Sequence, residues 1–318
     1  MNKKVRIITD SGSDLTPSIL DGRDIEILKM PVTADGVVYE VNNEEDLMNI
    51  YRLMRQGVVF KTAHVPYFEI LSAFRRCAED GVPCIFVGLS SALTSQHQAA
   101  TMAAKEVAEE FPDAVIYLID SASATMGYGR AVLIGYDKAM QGADAQEVLN
   151  TIIAELNCTE HLFSVGTLEY LVRGGRLSKV AGAVGDALSI RPVLNIDDEG
   201  KLYTMEKVRG DKKLRNRLAQ IAEEALNTIK DQEIYMTEGD NSEYTAALIE
   251  AVNKYAQPKA IHVFKMGPVI GVHTGPEVTG LIYRNPDRNK NIKAVCVCGE
   301  SYVKEATVDE SCCVNRAW

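Results

Sequence analysis

No stretch of this 318-residue sequence approaches the roughly 18 consecutive apolar residues of a membrane span. Its opening residues, Met1-Asn2-Lys3-Lys4-Val5-Arg6-Ile7-Ile8, lack the longer apolar region and small-residue cleavage site of a secretory signal. An unprocessed, cytoplasmic protein is therefore expected, with at most transient contact with a membrane and no stable insertion. Positive charge is also scarce. The chain has 34 Lys and Arg against 44 Asp and Glu, a net charge of −10, so a nucleic-acid partner is not expected. A local basic site for an anionic ligand is still allowed.

Standard metal and cofactor motifs are missing as well. Cys77, Cys84 and Cys158 lie in apolar or helical contexts and read as buried thiols of a reducing compartment. Cys296, Cys298, Cys312 and Cys313 crowd the last stretch, but Cys-x-Cys followed by an adjacent pair is not a zinc spacing. No Gly-x-x-x-x-Gly-Lys-Ser/Thr loop occurs, and no Gly-x-Gly-x-x-Gly follows the first strand. Gly127-Tyr128-Gly129 falls inside a helical segment, where it makes a poor phosphate cradle. His-Glu-x-x-His and Gly-x-Ser-x-Gly are absent too. Neither a metal nor a cofactor is expected.

What is present is an alternation of strands and helices. Val5–Ile8, Pro83–Leu89 and Val115–Ile119 are short apolar runs of the kind buried on both faces of a parallel sheet. Between the last two, Ala99, Met102, Ala103, Val107 and Phe111 recur at helical spacing. A helix after Asp120-Ser121 stops at Gly142, and Asp144-Ala145-Gln146-Glu147 opens the next as a capping box with Asp in the Ser/Thr position. Beyond residue 158 the rhythm changes. Leu162–Val165 reads as a strand, Thr167–Leu171 as a short helix stopped by Gly174-Gly175, and 178–189 as an Ala/Gly-rich helix. Pro192–Ile196 and Leu202–Val208 read as antiparallel strands turning at Asp197–Gly200, followed by an amphipathic helix over 211–230. Strands near 233–237 and 260–265 flank a helix at 242–256. The predicted fold is α/β in two domains: a parallel-sheet domain over 1–158 and a mixed-sheet domain over 159–284. A C-terminal extension, 285–318, is expected to add one strand at Ala294–Cys298.

In an open parallel sheet, ligands gather at the carboxyl ends of the strands. Hydroxyl residues follow each one here: Thr9-Asp10-Ser11, Ser90-Ser91 and Asp120-Ser121-Ala122-Ser123. Lys61-Thr62-Ala63-His64-Val65-Pro66 leads into a further helix. Such residues beside helix N-termini suit an anion, although each alone is also an ordinary N-cap. Of the histidines, His262 lies in a β-like run and reads as structural. His97 opens a helix among polar neighbours and reads as solvated. His273 sits in Gly267-Pro268-Val269-Ile270-Gly271-Val272-His273-Thr274-Gly275, a turning segment from which it could donate to an anionic oxygen or simply face solvent. Arg173 and Arg176 flank the Gly174-Gly175 turn, and Lys207-Val208-Arg209 follows the hairpin. These arginines suit a phosphate or an acidic partner, or form a solvated cluster.

In this order, Ile8–Leu15, Gly88-Leu89-Ser90-Ser91-Ala92-Leu93-Thr94, Ile119–Ser123, Leu168-Glu169-Tyr170-Leu171 with Gly174-Gly175-Arg176-Leu177-Ser178, Arg191–Leu194, Lys207–Arg209 and Gly267–Gly275 resemble the motifs of the DegV family. The resemblance spans residues 5–284. It implies a two-domain α/β protein with a long-chain fatty acid buried between the domains. It also implies a non-catalytic role as the lipid-binding subunit of a bacterial fatty acid kinase. The partner would be a separate ATP-dependent, dihydroxyacetone-kinase-like subunit, which phosphorylates the fatty acid carboxylate for phospholipid synthesis. Carried over by motif, Thr62, Ser90 and Ser91 hold the carboxylate, Ser91 ahead of Ser90, with His273 nearby. Asp10, Ser11, His64, Thr94 and Ser121 flank that site, while Arg176, Arg209 and Arg173 contact phosphate or the kinase. Thr62-Ala63-His64-Val65-Pro66 stands where the family has Thr-Ser-Gln-Pro, and Thr94-Ser95-Gln96-His97-Gln98 where it has Ser-Gly-Thr-Tyr-Gln. The alternatives are a lipid carrier without a kinase partner and a stand-alone hydrolase or transferase using His64 or His273.

Overall fold

The apolar runs form the centre of the first sheet. In the computed structural model, which describes residues 5–178, 190–227, 232–298 and 304–306, the strands in chain order are β1 (Arg6–Asp10), β2 (Glu26–Leu28), β3 (Val32–Ala34), β4 (Val37–Val38), β5 (Lys61–Thr62), β6 (Cys84–Gly88), β7 (Ile116–Asp120), β8 (Thr159–Ser164), β9 (Ile190–Ile196), β10 (Leu202–Arg209), β11 (Glu233–Glu238), β12 (Ala260–Lys265), β13 (Thr279–Arg284), β14 (Ala294–Val297) and β15 (Lys304–Ala306). The chain divides into two compact units. One comprises Met1–Met30, His64–Asn157 and Asn289–Trp318; the other comprises Pro31–Ala63 and Cys158–Arg288.

The first unit carries a six-stranded sheet ordered β15-β14-β7-β6-β1-β2. Strands β2, β1, β6 and β7 are mutually parallel. Ile85, Phe86, Val87 and Leu118 have no exposed surface, each such side chain adding about 1.5–3 kcal/mol of hydrophobic stabilisation. β14 extends the sheet antiparallel to β7, as expected of the C-terminal segment, and β15 pairs with it in turn. The capping box forms: Glu147 N donates to Asp144 Oδ1 at 2.9 Å and Asp144 N to Glu147 Oε2 at 3.0 Å, opening the helix Ala145–Asn157.

The second unit holds a mixed sheet ordered β10-β9-β8-β13-β11-β12, together with the small sheet β4-β3-β5. Only β11 and β12 run parallel; β10–β9, β9–β8, β8–β13 and β13–β11 are antiparallel. The helix Asp211–Leu226 packs Leu214, Leu218 and Ala222 into a core with Leu248, Val252, Met236 and Leu281. Segment 31–63 belongs here because its helix Glu44–Arg55 is anchored to residues far along the chain. Tyr51, fully buried, donates to Met266 O at 2.6 Å, and Arg55 pairs with Asp240 at 2.6 Å. Most of the Ala/Gly-rich helix expected over 178–189, along with Cys312 and Cys313, lies outside the described residues.

Candidate functional site

Three parallel neighbours, β7, β6 and β1, end on the same side of the first sheet, so their loops meet there. Asp10 closes β1. It is fully buried and accepts from Tyr128 Oη at 2.6 Å, Gly12 N at 3.0 Å and Leu89 N at 3.0 Å. Burial raises its carboxyl pKa, against the lowering effect of those bonds. The three donors come from the β1 and β6 loops and from Tyr128, so Asp10 acts as a latch joining those loops. Ser11 Oγ is likewise engaged, accepting from Met30 N at 2.9 Å.

The loops after β6 and β7 are stitched together. Ser90 N donates to Ser123 O at 3.0 Å and Ser121 N to Gly88 O at 3.3 Å. Asp120 Oδ1 accepts from Ser91 N at 3.0 Å and Ala122 N at 3.2 Å. Ser90 is fully enclosed and its Oγ accepts from Ala92 N, whereas Ser91 is exposed. Ser121 is buried with Oγ donating to Ser123 O at 3.3 Å, and Thr94 N donates to Ser90 O at 3.2 Å. Beside this loop begins the helix Gln96–Glu110. Buried Gln96 accepts from Val65 N at 2.8 Å through Oε1, while Gln96 Nε2 and His97 Nδ1 have no partner among the described residues. His97 is therefore not the solvated residue its neighbours suggest. It is half-buried, and burial lowers its pKa. His64 is exposed, with Nδ1 2.8 Å from Val65 O.

The second unit brings Thr62 and His273 together. His273 lies near the end of the short helix Pro268–Thr274, begun by a proline in its first turn and ended by Gly275 at φ 88°. Its Nε2 is 2.8 Å from Thr62 Oγ1 on β5. A methyl group at Gly174 would lie 2.3 Å from His273 Nδ1, so the bare backbone of the Gly174-Gly175 turn lets the imidazole approach. Arg176 folds back on that turn, donating to Gly174 O at 2.5 Å. Burial, assisted by the Arg176 charge, lowers the His273 pKa to about 4. The imidazole is thus neutral at pH 7 and offers one donor and one acceptor.

Arg176 is half-buried beside His273, and burial lowers its own pKa. Arg173 pairs with Glu169 at 3.4 Å and lies 4.9 Å from the Tyr170 ring centroid. Arg209 is exposed at the end of β10. His262 is structural in character, 2.9 Å from Glu233 Oε2 and stacked on Tyr235. Sequence reasoning missed Tyr128 and Tyr51. The glycines flanking Tyr128 were the available signal, marking a helix that approaches other backbone closely.

A family model described as "Uncharacterised protein, DegV family" matches residues 4–285. The chain belongs to the DegV family. A DegV domain-containing protein of Clostridium perfringens is 32% identical over 275 residues, covering 86% of this chain and 94% of its own length. Among solved structures, a DegV lipid binding protein from Thermotoga maritima is similar at 27% identity and a TM-score of 0.75, covering 90% of this chain and 100% of that one. A fatty acid (stearic acid)-binding protein from Eubacterium ventriosum is similar at 26% identity and a TM-score of 0.79, covering 88% of this chain and 98% of that one. These likenesses agree with the two-domain α/β architecture of the DegV fold. Among the described residues, no helix is long and apolar enough to cross a membrane, and no cluster of His, Cys, Asp and Glu is arranged to hold a metal ion.

Proposed function

We propose that this chain binds one long-chain fatty acid and presents its carboxylate to a separate ATP-dependent kinase subunit, which forms the acyl-phosphate. The observation that carries the reading is the uncharged Thr62–His273 pair, in a family whose relatives above are described as lipid-binding and stearic-acid-binding. With Nε2–H donating to Thr62 Oγ1, the threonine hydroxyl is free to donate to a carboxylate oxygen. In the first unit, Ser91, exposed beside Asp120, is by motif a further hydroxyl assigned to the ligand. Ser90 contributes mainly to the loop, since its Oγ already accepts from Ala92 N.

A carboxylate held by neutral hydroxyls keeps its charge and its nucleophilic lone pairs, as attack on a phosphoryl group requires. A direct guanidinium clamp would bind it more strongly and blunt that attack. Arg176, Arg209 and Arg173 are assigned instead to the transferred phosphate or the kinase surface. The acyl chain needs apolar enclosure, since each buried CH₂ contributes about 0.8 kcal/mol. A hydrolytic role for His273 is disfavoured, because an imidazole with a pKa of about 4 is a weak base at neutral pH.

Mixing the fatty-acid-loaded chain with a dihydroxyacetone-kinase-like subunit and ATP tests the reading. Acyl-phosphate is expected, trapped as the hydroxamate, and it should be lost when Thr62 and Ser91 are both replaced by alanine. Fatty acid binding without acyl-phosphate would leave a lipid carrier with no kinase role.

A further inference from the structure

The family match ends at residue 285, yet the chain beyond it is built into the first sheet. β14 pairs Ala294 with Ile119 and Val297 with Ile116. Just before it, Asn157 holds the chain from both sides. Its carbonyl accepts from Lys290 N at 3.3 Å and its Oδ1 from Ile292 N at 2.7 Å. These contacts bury Lys290 to 5% exposure, where Nζ donates to Ala122 O at 3.0 Å. Lysine is almost never buried so fully unless its ammonium is paired.

Where that ammonium lies is informative. Ala122 belongs to the loop after β7, at φ 43°, a left-handed conformation unfavourable to alanine. The same loop is bonded to the Ser90-Ser91 loop through Ser123 O and Asp120 Oδ1. Asp120 also binds Ala122 N, so its carboxylate lies directly behind Ser91. An anionic ligand at Ser91 would be repelled by that charge. The lysine on the adjacent carbonyl brings the opposite sign into the same low-dielectric loop.

We infer that Lys290, from the segment outside the family match, is a positioning residue for an anionic headgroup. It fixes the 120–123 loop and offsets the Asp120 charge behind Ser91. This rests on the fatty acid reading above and makes the C-terminal segment part of the binding apparatus. The property recognised is the ligand's charge, so its effect separates an acid from an uncharged lipid of the same length.

The test measures the Kd of the full chain for a long-chain fatty acid and for the fatty alcohol of equal length. In Lys290→Met and Lys290→Gln, acid binding should weaken about tenfold relative to alcohol, the scale of one partly screened charge. Lys290→Arg and the exposed Lys293→Met should keep the wild-type ratio. Asp120→Asn, which retains the amide-binding oxygen, should shift the ratio towards the acid, and this variant does not depend on Lys290 variants folding. A purely structural role would weaken acid and alcohol alike. An acid-to-alcohol ratio unchanged in a folded Lys290→Met or Lys290→Gln, or in Asp120→Asn, overturns the inference. Wild-type protein that fails to bind the acid at all overturns the fatty acid reading instead.

Discussion

Two polar clusters, one in each unit, differ in how their hydrogen bonds are satisfied. Around Asp10 a fully buried carboxylate takes donors from Tyr128, Gly12 and Leu89. Around His273 a neutral imidazole meets a threonine hydroxyl with hydrogen-bonding capacity left over. Both were drawn from loops that read alike, with hydroxyls and acids at strand ends. A buried charge with its donors supplied by the protein is a structural latch. A neutral pair with a spare donor is suited to a ligand.

Breaking the latch should have the largest effect. Asp10→Ala leaves buried donors without an acceptor and should cost on the order of 3 kcal/mol or more, read from the urea midpoint. Tyr128→Phe, which removes one donor, should cost roughly 1–3 kcal/mol. The carboxylate would then keep its backbone donors, and acyl selectivity should change little in the folded protein.

The His273 cluster should reveal itself through pH. Its folded pKa of about 4 lies below the ordinary histidine value of about 6.5. Between these values the unfolded chain binds the extra proton, so this residue's contribution is fully present above about pH 6.5 and declines as pH falls towards 4. The loss should reach up to about 3 kcal/mol. Comparing urea midpoints at pH 7 and pH 4.5 should show a smaller decline in His273→Gln than in wild type. An equal decline in both would place the pH sensitivity elsewhere.

An effect of similar size to that of Tyr128→Phe is expected from Gly174→Ala. The added methyl would meet His273 Nδ1 at 2.3 Å, forcing the ring or the turn to move at a cost of about 1–3 kcal/mol. Fatty acid affinity should fall with it, whereas Gly175→Ala, at φ 73°, should strain the turn without touching the ring.

Much of the framework was legible in the sequence because its signals are local. Buried parallel strands read as apolar runs, the Asp144–Glu147 box as a helix start, and Asp197–Gly200 as a hairpin turn. β13 was missed although it sits inside the second sheet, because Thr279-Gly280 breaks the strand-like run. The grouping of 31–63 with the later residues was illegible for another reason. It depends on Tyr51 reaching Met266 and Arg55 reaching Asp240, pairings that no periodicity reports. At the site, the candidates themselves were legible by motif, but their roles were not. Whether Asp10 faces a ligand or Tyr128 depends on contacts far apart in sequence. Lys290 lay hidden in a C-terminal extension from which only the strand at Ala294–Cys298 was legible.

Native mass spectrometry of the gently purified chain tests the central claim most directly. The predicted result is an adduct with the mass of one long-chain fatty acid, diminished when Thr62 and Ser91 are both replaced by alanine. A chain that emerges ligand-free, and that binds no fatty acid across a series of chain lengths, would contradict it.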